Sequence, residues 1–199
     1  EDLSISKKLI SFINWFSMYN MCSKGMVLKM CLGDKNNVLK FNNDSEEKKI
    51  KKVKKYFLNN EQKRSFKELK SFGNKFNVSV LQGVTGSGKT LVYFEIIKEV
   101  IQSNKQALVL LPEIFLTNQF KSRFEEFFGF SPAVWHSRIT PKNKRIIWKG
   151  VIQNKIKLII GARSSLLLPF KTLGIIVVDE EHDPSYKQDD GVIYNARDM

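Results

Sequence analysis

The apolar positions of the first 32 residues repeat at three- to four-residue spacing, as one buried face of a helix does. These positions are Leu3, Ile5, Leu9, Ile10, Ile13, Trp15, Phe16 and Tyr19. Gly25 interrupts the pattern, and residues 26–30 suit either a short strand or a second helix. The Asn-rich residues 36–45 have turn chemistry, and a lysine-rich run follows them. We therefore expect a small N-terminal unit over residues 1–45, a basic linker over 46–57 and a larger domain over 58–199.

In the larger domain, strand-length apolar runs alternate with helix-length periodic segments. Helical spacing over residues 58–76 is followed by predicted helices at 91–102, 116–128 and 141–153. The predicted strands are residues 78–81, 107–111, 133–135, 157–160 and 175–178. Because these strands are apolar on both faces, helices must cover the sheet on both sides. Right-handed crossovers then predict an α/β domain with a parallel sheet between two helical layers.

Composition and charge exclude some classes of function and favour others. The 199 residues include 33 Lys and Arg against 20 Asp and Glu, a formal net charge of +13. This excess favours a polyanionic partner, nucleic acid first. No apolar run reaches the roughly 18–20 residues that cross a bilayer, which excludes an integral membrane protein. Cys22 and Cys31 are too few for a disulfide scaffold or a four-ligand zinc site, so we expect reduced thiols and a cytoplasmic protein.

A glycine-rich segment between a predicted strand and a predicted helix has the spacing of a phosphate-binding loop. Its glycines let successive backbone N–H groups point inward at an anion, and the following helix adds its positive N-terminus. Lys89 is expected to reach the β- and γ-phosphates of ATP, and the Thr90 hydroxyl to ligate Mg²⁺. The nucleotide-binding residues predicted here are Gly83, Val84, Thr85, Gly86, Ser87, Gly88, Lys89 and Thr90.

An acidic pair at the end of the last predicted strand supplies the second half of such a site. Asp179 is expected to hold Mg²⁺, directly or through water. Glu180 is then placed to polarise a water toward the γ-phosphate, which favours hydrolysis over transfer to a small acceptor. Lys89 and Glu180 are accordingly the predicted catalytic residues. His182 follows the pair and is a candidate for coupling the nucleotide to a moving part.

The tetrad Asp-Glu-Glu-His at 179–182 resembles motif II of superfamily 2 helicases. The longer stretch 179–198 resembles the PriA family of bacterial replication-restart helicases, as do the phosphate loop, residues 111–119 and Gly161-Ala-Arg-Ser164. Residues 9–32 resemble the winged-helix region of that family. The resemblance implies the first RecA-like lobe of an ATP-driven 3′→5′ DNA helicase, preceded by a helical, winged-helix remnant. It also implies forked and single-stranded DNA, primosome proteins and single-stranded-DNA-binding protein as partners.

The resemblance assigns further residues one by one. It makes Gln62 the residue that recognises the adenine edge. Arg163 and Ser164 would contact DNA phosphates, because they lie in a loop that faces the strand in the family. Tyr186, Lys187 and Tyr194 fall in an aromatic-rich loop that links DNA contact to hydrolysis. Aromatic faces stack on bases without regard to sequence, and we expect the two tyrosines to act in this way.

Several parts of the family have no counterpart in this sequence: the second motor lobe, its arginine finger, the zinc-binding cysteines and the domain that binds a 3′ DNA end. We therefore expect a piece of a longer protein, truncated at the C-terminal end of its lobe, which binds ATP and DNA without unwinding. Two alternatives stay open. One is a small phosphate-loop kinase or nucleotide switch, and the other is a non-enzymatic DNA-binding remnant of a split gene.

Overall fold

The computed structural model describes residues 5–33, 53–73, 75–84 and 86–199. The helices of this part are α1 (Lys7–Tyr19), α2 (Lys24–Leu32), α3 (Asn60–Ser71), α4 (Lys89–Gln102), α5 (Asn118–Phe128) and α6 (Pro141–Ile152). The strands are β1 (Gln106–Leu110), β2 (Ala133–Trp135), β3 (Leu158–Gly161), β4 (Leu173–Val178), β5 (Lys187–Gln188) and β6 (Tyr194–Asn195). Within these ranges no helix has the length and apolar character that spanning a membrane requires.

A four-stranded parallel sheet in the order β2-β3-β1-β4 forms the centre of the fold. In its register, Val109 of β1 lies between Ile160 of β3 and Val177 of β4. Strands β5 and β6 make a separate antiparallel pair near the C-terminal end of the chain. Parallel pairing places the carboxyl ends of all four central strands at one edge, where loops with chemical function collect.

Each face of the sheet has its own apolar core, because alternate residues of a strand point to opposite faces. One core joins Ala107 and Val109 of β1 to residues of α4 and α5, among them Phe94 and Phe124. The other joins Leu108 of β1 and its alternate neighbours to α6 and to the N-terminal helices. The parallel sheet is thus covered by helices on both faces, which confirms the predicted α/β class.

Helices α1 and α2 pack directly against the sheet domain. Phe16 and Val27 are fully buried and belong to the same apolar cluster as residues of β1 and β3. The indole Nε1 of Trp148 in α6 donates a hydrogen bond of 2.8 Å to the carbonyl of Cys31. The ambiguous residues 26–30 are helical, and Ser23 begins that helix by accepting from the Met26 N–H. The N-terminal unit therefore contributes to the core of the larger domain.

The expected linker over 46–57 lies largely outside the described residues, as do the Asn-rich residues 36–45. Its described end packs on α5: the Lys54 ammonium lies 2.7 Å from the Glu126 carboxylate, and the Tyr56 ring stacks on Phe127. The division of the chain at this linker stays a prediction.

The predicted strand over residues 78–81 is wrong. This segment pairs with no strand in the described part of the chain, and its Val78 and Val80 side chains are 77% and 87% exposed. A strand that is apolar on both faces needs a covering layer on each side. Helix α3, which precedes this segment, has no buried residue, so it supplies no such layer. The remaining predicted strands and helices form with ends shifted by up to two residues, except that the helical spacing over 58–76 gives a helix that already ends at Ser71.

Gln106, the first residue of β1, is a fully buried polar side chain whose hydrogen bonds are all internal. Its Nε2 donates to the carbonyls of Val151 and Ile156, both at 2.9 Å. Its Oε1 accepts from the N–H groups of Lys171 and Thr172 at 2.9 and 3.0 Å. A buried amide with four partners joins the end of α6 to the segment before β4, so it fixes how the crossover connections meet the sheet.

Replacing Gln106 with Leu should lower the free energy of unfolding by about 3 kcal/mol or more. The substitution keeps the volume but removes the side-chain partner of the Ile156 carbonyl and of the Lys171 and Thr172 N–H groups, each loss costing about 1–3 kcal/mol. Urea denaturation followed by circular dichroism measures the change. Gln102→Leu, at an exposed position in the last turn of α4, is the matched control and should change stability by less than about 0.5 kcal/mol. Equal stability of the two variants would contradict the assigned role of Gln106.

Candidate functional site

The glycine-rich loop over residues 83–90 ends at the N-terminus of α4. Gly86 and Gly88 both have φ of 81°, in the left-handed region that glycine tolerates and larger residues resist. A Cβ at Gly88 would also collide with the amide of Gln62. The positive φ therefore favours glycine where the helix begins, and a larger residue there would also displace the Gln62 amide. Thr85 of the predicted nucleotide-binding set lies outside the described residues.

Lys89 is the first residue of α4, and its ammonium lies over the loop that precedes it. Nζ donates to the carbonyls of Gly83 and Val84, the second at 3.3 Å. The loop thus holds the cation at the point where the helix N-terminus also concentrates positive potential. A phosphate placed there would meet a fixed ammonium and the first N–H groups of α4.

Gln62 lies beside the phosphate loop although 25 residues separate it from Ser87. Its N–H and Oε1 form a capping box with Asn59 at the start of α3, at 2.8 and 2.9 Å. Its Nε2 donates to the Ser87 carbonyl at 2.9 Å. The side chain therefore begins α3 and connects that helix to the phosphate loop, and its contact with adenine stays a prediction.

Asp179 directly follows β4, at the edge of the sheet where the parallel strands end. Its N–H donates to the carbonyl of Leu110 at 3.1 Å, which continues the β1–β4 pairing by one residue. Its Oδ1 accepts from the Glu180 N–H at 3.1 Å. The Tyr186 phenol lies within hydrogen-bonding distance of the Asp179 carbonyl and, at 2.9 Å, of the Leu110 carbonyl. The carboxylate is therefore attached to a rigid part of the molecule.

Tyr93 connects the helix that follows the phosphate loop to the acidic pair. This residue lies one turn into α4, and its phenol donates to Asp179 Oδ2 at 2.9 Å. Burial and the charge of Asp179 raise the pKa of Tyr93, while a hydrogen bond with the Thr90 hydroxyl acts in the opposite direction. The sequence analysis assigned Tyr93 no role. Its position three residues after Thr90, on the same helix face, was the available signal.

Glu180 has φ of 49°, a left-handed conformation that is uncommon for a residue with a side chain. Such backbone strain is typical of functional sites, where it aims a side chain that a relaxed turn would direct elsewhere. The Glu180 carboxylate lies 3.7 Å from His182 Nε2, and both side chains are largely exposed. An exposed pair of this kind contributes little stability, so both groups are available to a ligand.

Arg163 connects two loops at the functional edge of the sheet. It follows β3, and its Nη1 donates to the carbonyls of Ser185 and Lys187 at 3.0 and 2.6 Å. The loop that it holds includes Tyr186, which contacts the Asp179 carbonyl. Ser164, the next residue, is half-buried. Arg163 therefore positions the loop after the acidic pair, in addition to its predicted phosphate contact.

The expectation that Tyr186 and Tyr194 stack on bases is not met by this structure, because both rings are buried. Their exposed fractions are 2% and 3%. Tyr194 packs edge-on against Phe16 of α1, and burial raises its pKa to about 12. Lys187 is exposed and lies 3.0 Å from Asp189, so it is the one residue of this predicted trio at the surface. A coupling role for the two tyrosines stays a prediction.

The residues at this edge suit a magnesium nucleotide. A Cβ at Gly83 would lie 2.8 Å from the Ser87 hydroxyl and one at Gly88 would lie still closer to Gln62 Nε2, so polar side chains closely approach the backbone at these two glycines. The Thr90 hydroxyl, in the first turn of α4, and the Asp179 carboxylate, hydrogen bonded to Tyr93 of the same helix, are hard oxygen donors of the type that Mg²⁺ prefers. These residues would hold the ion, and Lys89 would hold the phosphates.

Comparison with known proteins agrees with this chemistry. Over 202 aligned residues the chain is 44% identical to the replication restart protein PriA of Rickettsia felis, covering 99% of this chain and 30% of that relative. It is 45% identical to the PriA of Rickettsia conorii with the same coverage. It is 38% identical over 156 residues to the PriA of Bacillus subtilis, covering 77% of this chain and 19% of that one. The chain thus spans about 30% of the length of the two Rickettsia relatives.

The profile of the DEAD/DEAH box helicases matches residues 59–199, which include the phosphate loop, the parallel sheet and the acidic pair. The match begins at the N-cap of α3, next to Gln62, and leaves α1 and α2 outside it. On this match over most of its length, the chain belongs to the DEAD/DEAH box helicase family.

Proposed function

We propose that this chain is the first, ATP-binding lobe of a 3′→5′ DNA helicase that restarts stalled replication forks. The observation that carries the proposal is one hydrogen bond. It joins Tyr93 of α4, the helix that follows the phosphate loop, to Asp179 of the acidic pair. In this assignment Lys89 binds the phosphates, Thr90 and Asp179 hold Mg²⁺, and Glu180 orients the attacking water. Gln62 recognises adenine from the base of α3. The similarity to PriA proteins supports replication restart as the process served.

The partners proposed for the whole protein are forked and single-stranded DNA, primosome proteins and single-stranded-DNA-binding protein. A net charge of +13 supports the nucleic acid, because counterion release drives such binding without sequence preference. Lys187, Arg163 and Ser164 at the functional edge are the proposed DNA contacts, with His182 coupling them to the nucleotide. The similarity to bacterial PriA proteins supports a location in the bacterial cytoplasm, associated with the nucleoid.

The alternative of a small phosphate-loop kinase is less well supported. A kinase transfers the γ-phosphate to an acceptor group, whereas Glu180 beside a metal-binding Asp179 is suited to orient water. The family match over residues 59–199 also favours a helicase lobe. The alternative of a non-enzymatic DNA-binding remnant differs from the proposal in nucleotide binding, which the following calorimetry measures.

Replacing Lys89 with Ala should weaken binding of ATP with Mg²⁺ by about 10–100-fold, because charge-assisted hydrogen bonds to the phosphates are lost. Isothermal titration calorimetry on the 199-residue chain measures the affinity. Lys98→Ala removes an exposed lysine from the same helix, more than two turns away, and should bind ATP as the parent does. Equal affinities for the parent and Lys89→Ala would contradict the assigned nucleotide site.

DNA binding should weaken steeply as salt rises, and Arg163→Ala should weaken it for all sequences alike. The substitution removes one phosphate contact and also releases the loop held through the Ser185 and Lys187 carbonyls. Fluorescence anisotropy with labelled single strands of unrelated sequence, measured over a series of salt concentrations, gives both quantities. Lys171→Ala removes an exposed cation before β4, at the opposite end of the sheet, and serves as the control. Salt-independent affinity would overturn this proposal.

The isolated chain should show little DNA-stimulated ATP hydrolysis and no unwinding. In this class of motor an arginine finger acts across the cleft between two lobes and contributes about 10³–10⁵ in rate. Arg163 is held by backbone carbonyls, and Arg197 pairs with Glu181 at 3.0 Å. Both arginines are thus engaged away from a transferring phosphate. A steady-state assay with and without single-stranded DNA tests this, with Glu180→Gln as background. Robust turnover that Glu180→Gln abolishes would show that one lobe suffices.

A further inference from the structure

The polar atoms of Asp179 are held from several directions, and one of these contacts comes from the nucleotide-binding helix. Strand β1, through the Leu110 carbonyl, accepts from the Asp179 N–H at 3.1 Å. The Glu180 N–H donates to Oδ1 at 3.1 Å, and the Tyr186 phenol contacts the Asp179 carbonyl. The fourth contact is the Tyr93 phenol on Oδ2, at 2.9 Å. Tyr93 is thus the residue through which α4 orients this carboxylate.

The surroundings of Tyr93 make its hydrogen bond persistent. The residue is 7% exposed and its ring packs edge-on against Phe94, with 5.3 Å between the ring centroids. The buried, packed ring keeps the phenol beside Asp179 Oδ2. Tyr93 also lies three residues after Thr90 on the same helix. The helix that carries the Thr90 hydroxyl is therefore hydrogen bonded to the Asp179 carboxylate, and both groups are oxygen donors proposed for the metal.

We propose that Tyr93 is a positioning residue for Mg²⁺ at the nucleotide site, fixing the Asp179 carboxylate relative to α4, the helix that carries Thr90. The proposal rests on the ATP site proposed above and adds a residue outside the phosphate-loop and acidic-pair motifs. Mg²⁺ demands near-ideal octahedral geometry, so the relative placement of its oxygen ligands matters more than for a larger cation. Groups that hydrogen bond to metal ligands typically contribute 10–100-fold to metal affinity.

The test compares nucleotide affinity with saturating Mg²⁺ and with a chelator, in the parent chain and in Tyr93→Phe. This substitution retains the buried ring and removes only the hydroxyl. We expect metal-free affinity for ADP to be unchanged and the gain produced by Mg²⁺ to fall about 10-fold or more. Binding of Mn²⁺ to the ADP-saturated chain, counted by electron paramagnetic resonance, gives a direct metal readout and should weaken similarly.

Two further variants separate positioning from a structural role. Tyr56→Phe also removes a phenol that donates to a carboxylate, that of Glu126 at 3.2 Å on the surface of α5, and should leave the gain from Mg²⁺ unchanged. In an Asp179→Asn background, Tyr93→Phe should have no further effect on the metal-dependent gain, because both changes remove the same contribution.

Each result bears on a distinct claim. An unchanged Mg²⁺ gain in Tyr93→Phe would overturn the role of Tyr93 while leaving the nucleotide site intact. A loss of metal-free affinity as large as the loss with Mg²⁺ would overturn it as well, because the defect would then be structural. A parent chain whose ATP binding does not depend on Lys89 would instead overturn the proposed function on which this inference rests.

Discussion

The parallel pairing of β1 with β4 determines where the chemistry of this chain is located. Leu110, the last residue of β1, is fully buried, so its carbonyl requires partners inside the protein. Its partners are the Asp179 N–H at 3.1 Å and the Tyr186 phenol at 2.9 Å. One buried carbonyl therefore holds both the start of the acidic pair and the loop that follows it. Without this pairing, Asp179 would lie on a free turn and its carboxylate would have no fixed position.

Two further contacts fix Asp179 and the loop that follows the acidic pair. Arg163 holds it from the end of β3 through the Ser185 and Lys187 carbonyls. Tyr93 holds the Asp179 side chain from α4. Contacts from β1, from α4 and from the segment that follows β3 therefore fix Asp179 and the loop after it. Arg163 and Tyr93 of α4 thus contact the same short segment, residues 179–187, from two sides.

The N-terminal helices matter to this arrangement although they lie outside the family match. Phe16 of α1 packs against Tyr194, and Trp148 of α6 bonds to the Cys31 carbonyl of α2. These contacts cover one face of the sheet and one side of the segment that carries Tyr194. A sheet that is apolar on both faces needs a layer on each side, and α1, α2 and α6 provide the layer opposite α4 and α5.

Local pattern was sufficient for the motifs and for most of the elements. Alternating apolar runs and periodic helices predicted the parallel sheet between two helical layers, because burial on both faces imposes that pattern. The spacing of Gly83, Gly86 and Gly88 before Lys89 predicted the phosphate loop, because the backbone conformation required there is a local property. Asp179 and Glu180 were predictable for the same reason, as an acidic pair that directly follows an apolar strand.

What only the tertiary structure decided are the contacts between residues far apart in sequence. Apart from its position three residues after Thr90, nothing local distinguishes Tyr93 from any other tyrosine on a helix, and the role proposed for it depends on β4 bringing Asp179 to it. Val78 and Val80 have strand composition yet are exposed, since strand formation depends on a partner and a covering layer. Tyr186 and Tyr194 have the composition of a stacking loop, yet both are buried. The Tyr194 ring packs against Phe16 of α1, and the Tyr186 hydroxyl donates to the Leu110 carbonyl of β1. Sequence determines which groups are available, and packing determines which of them meet.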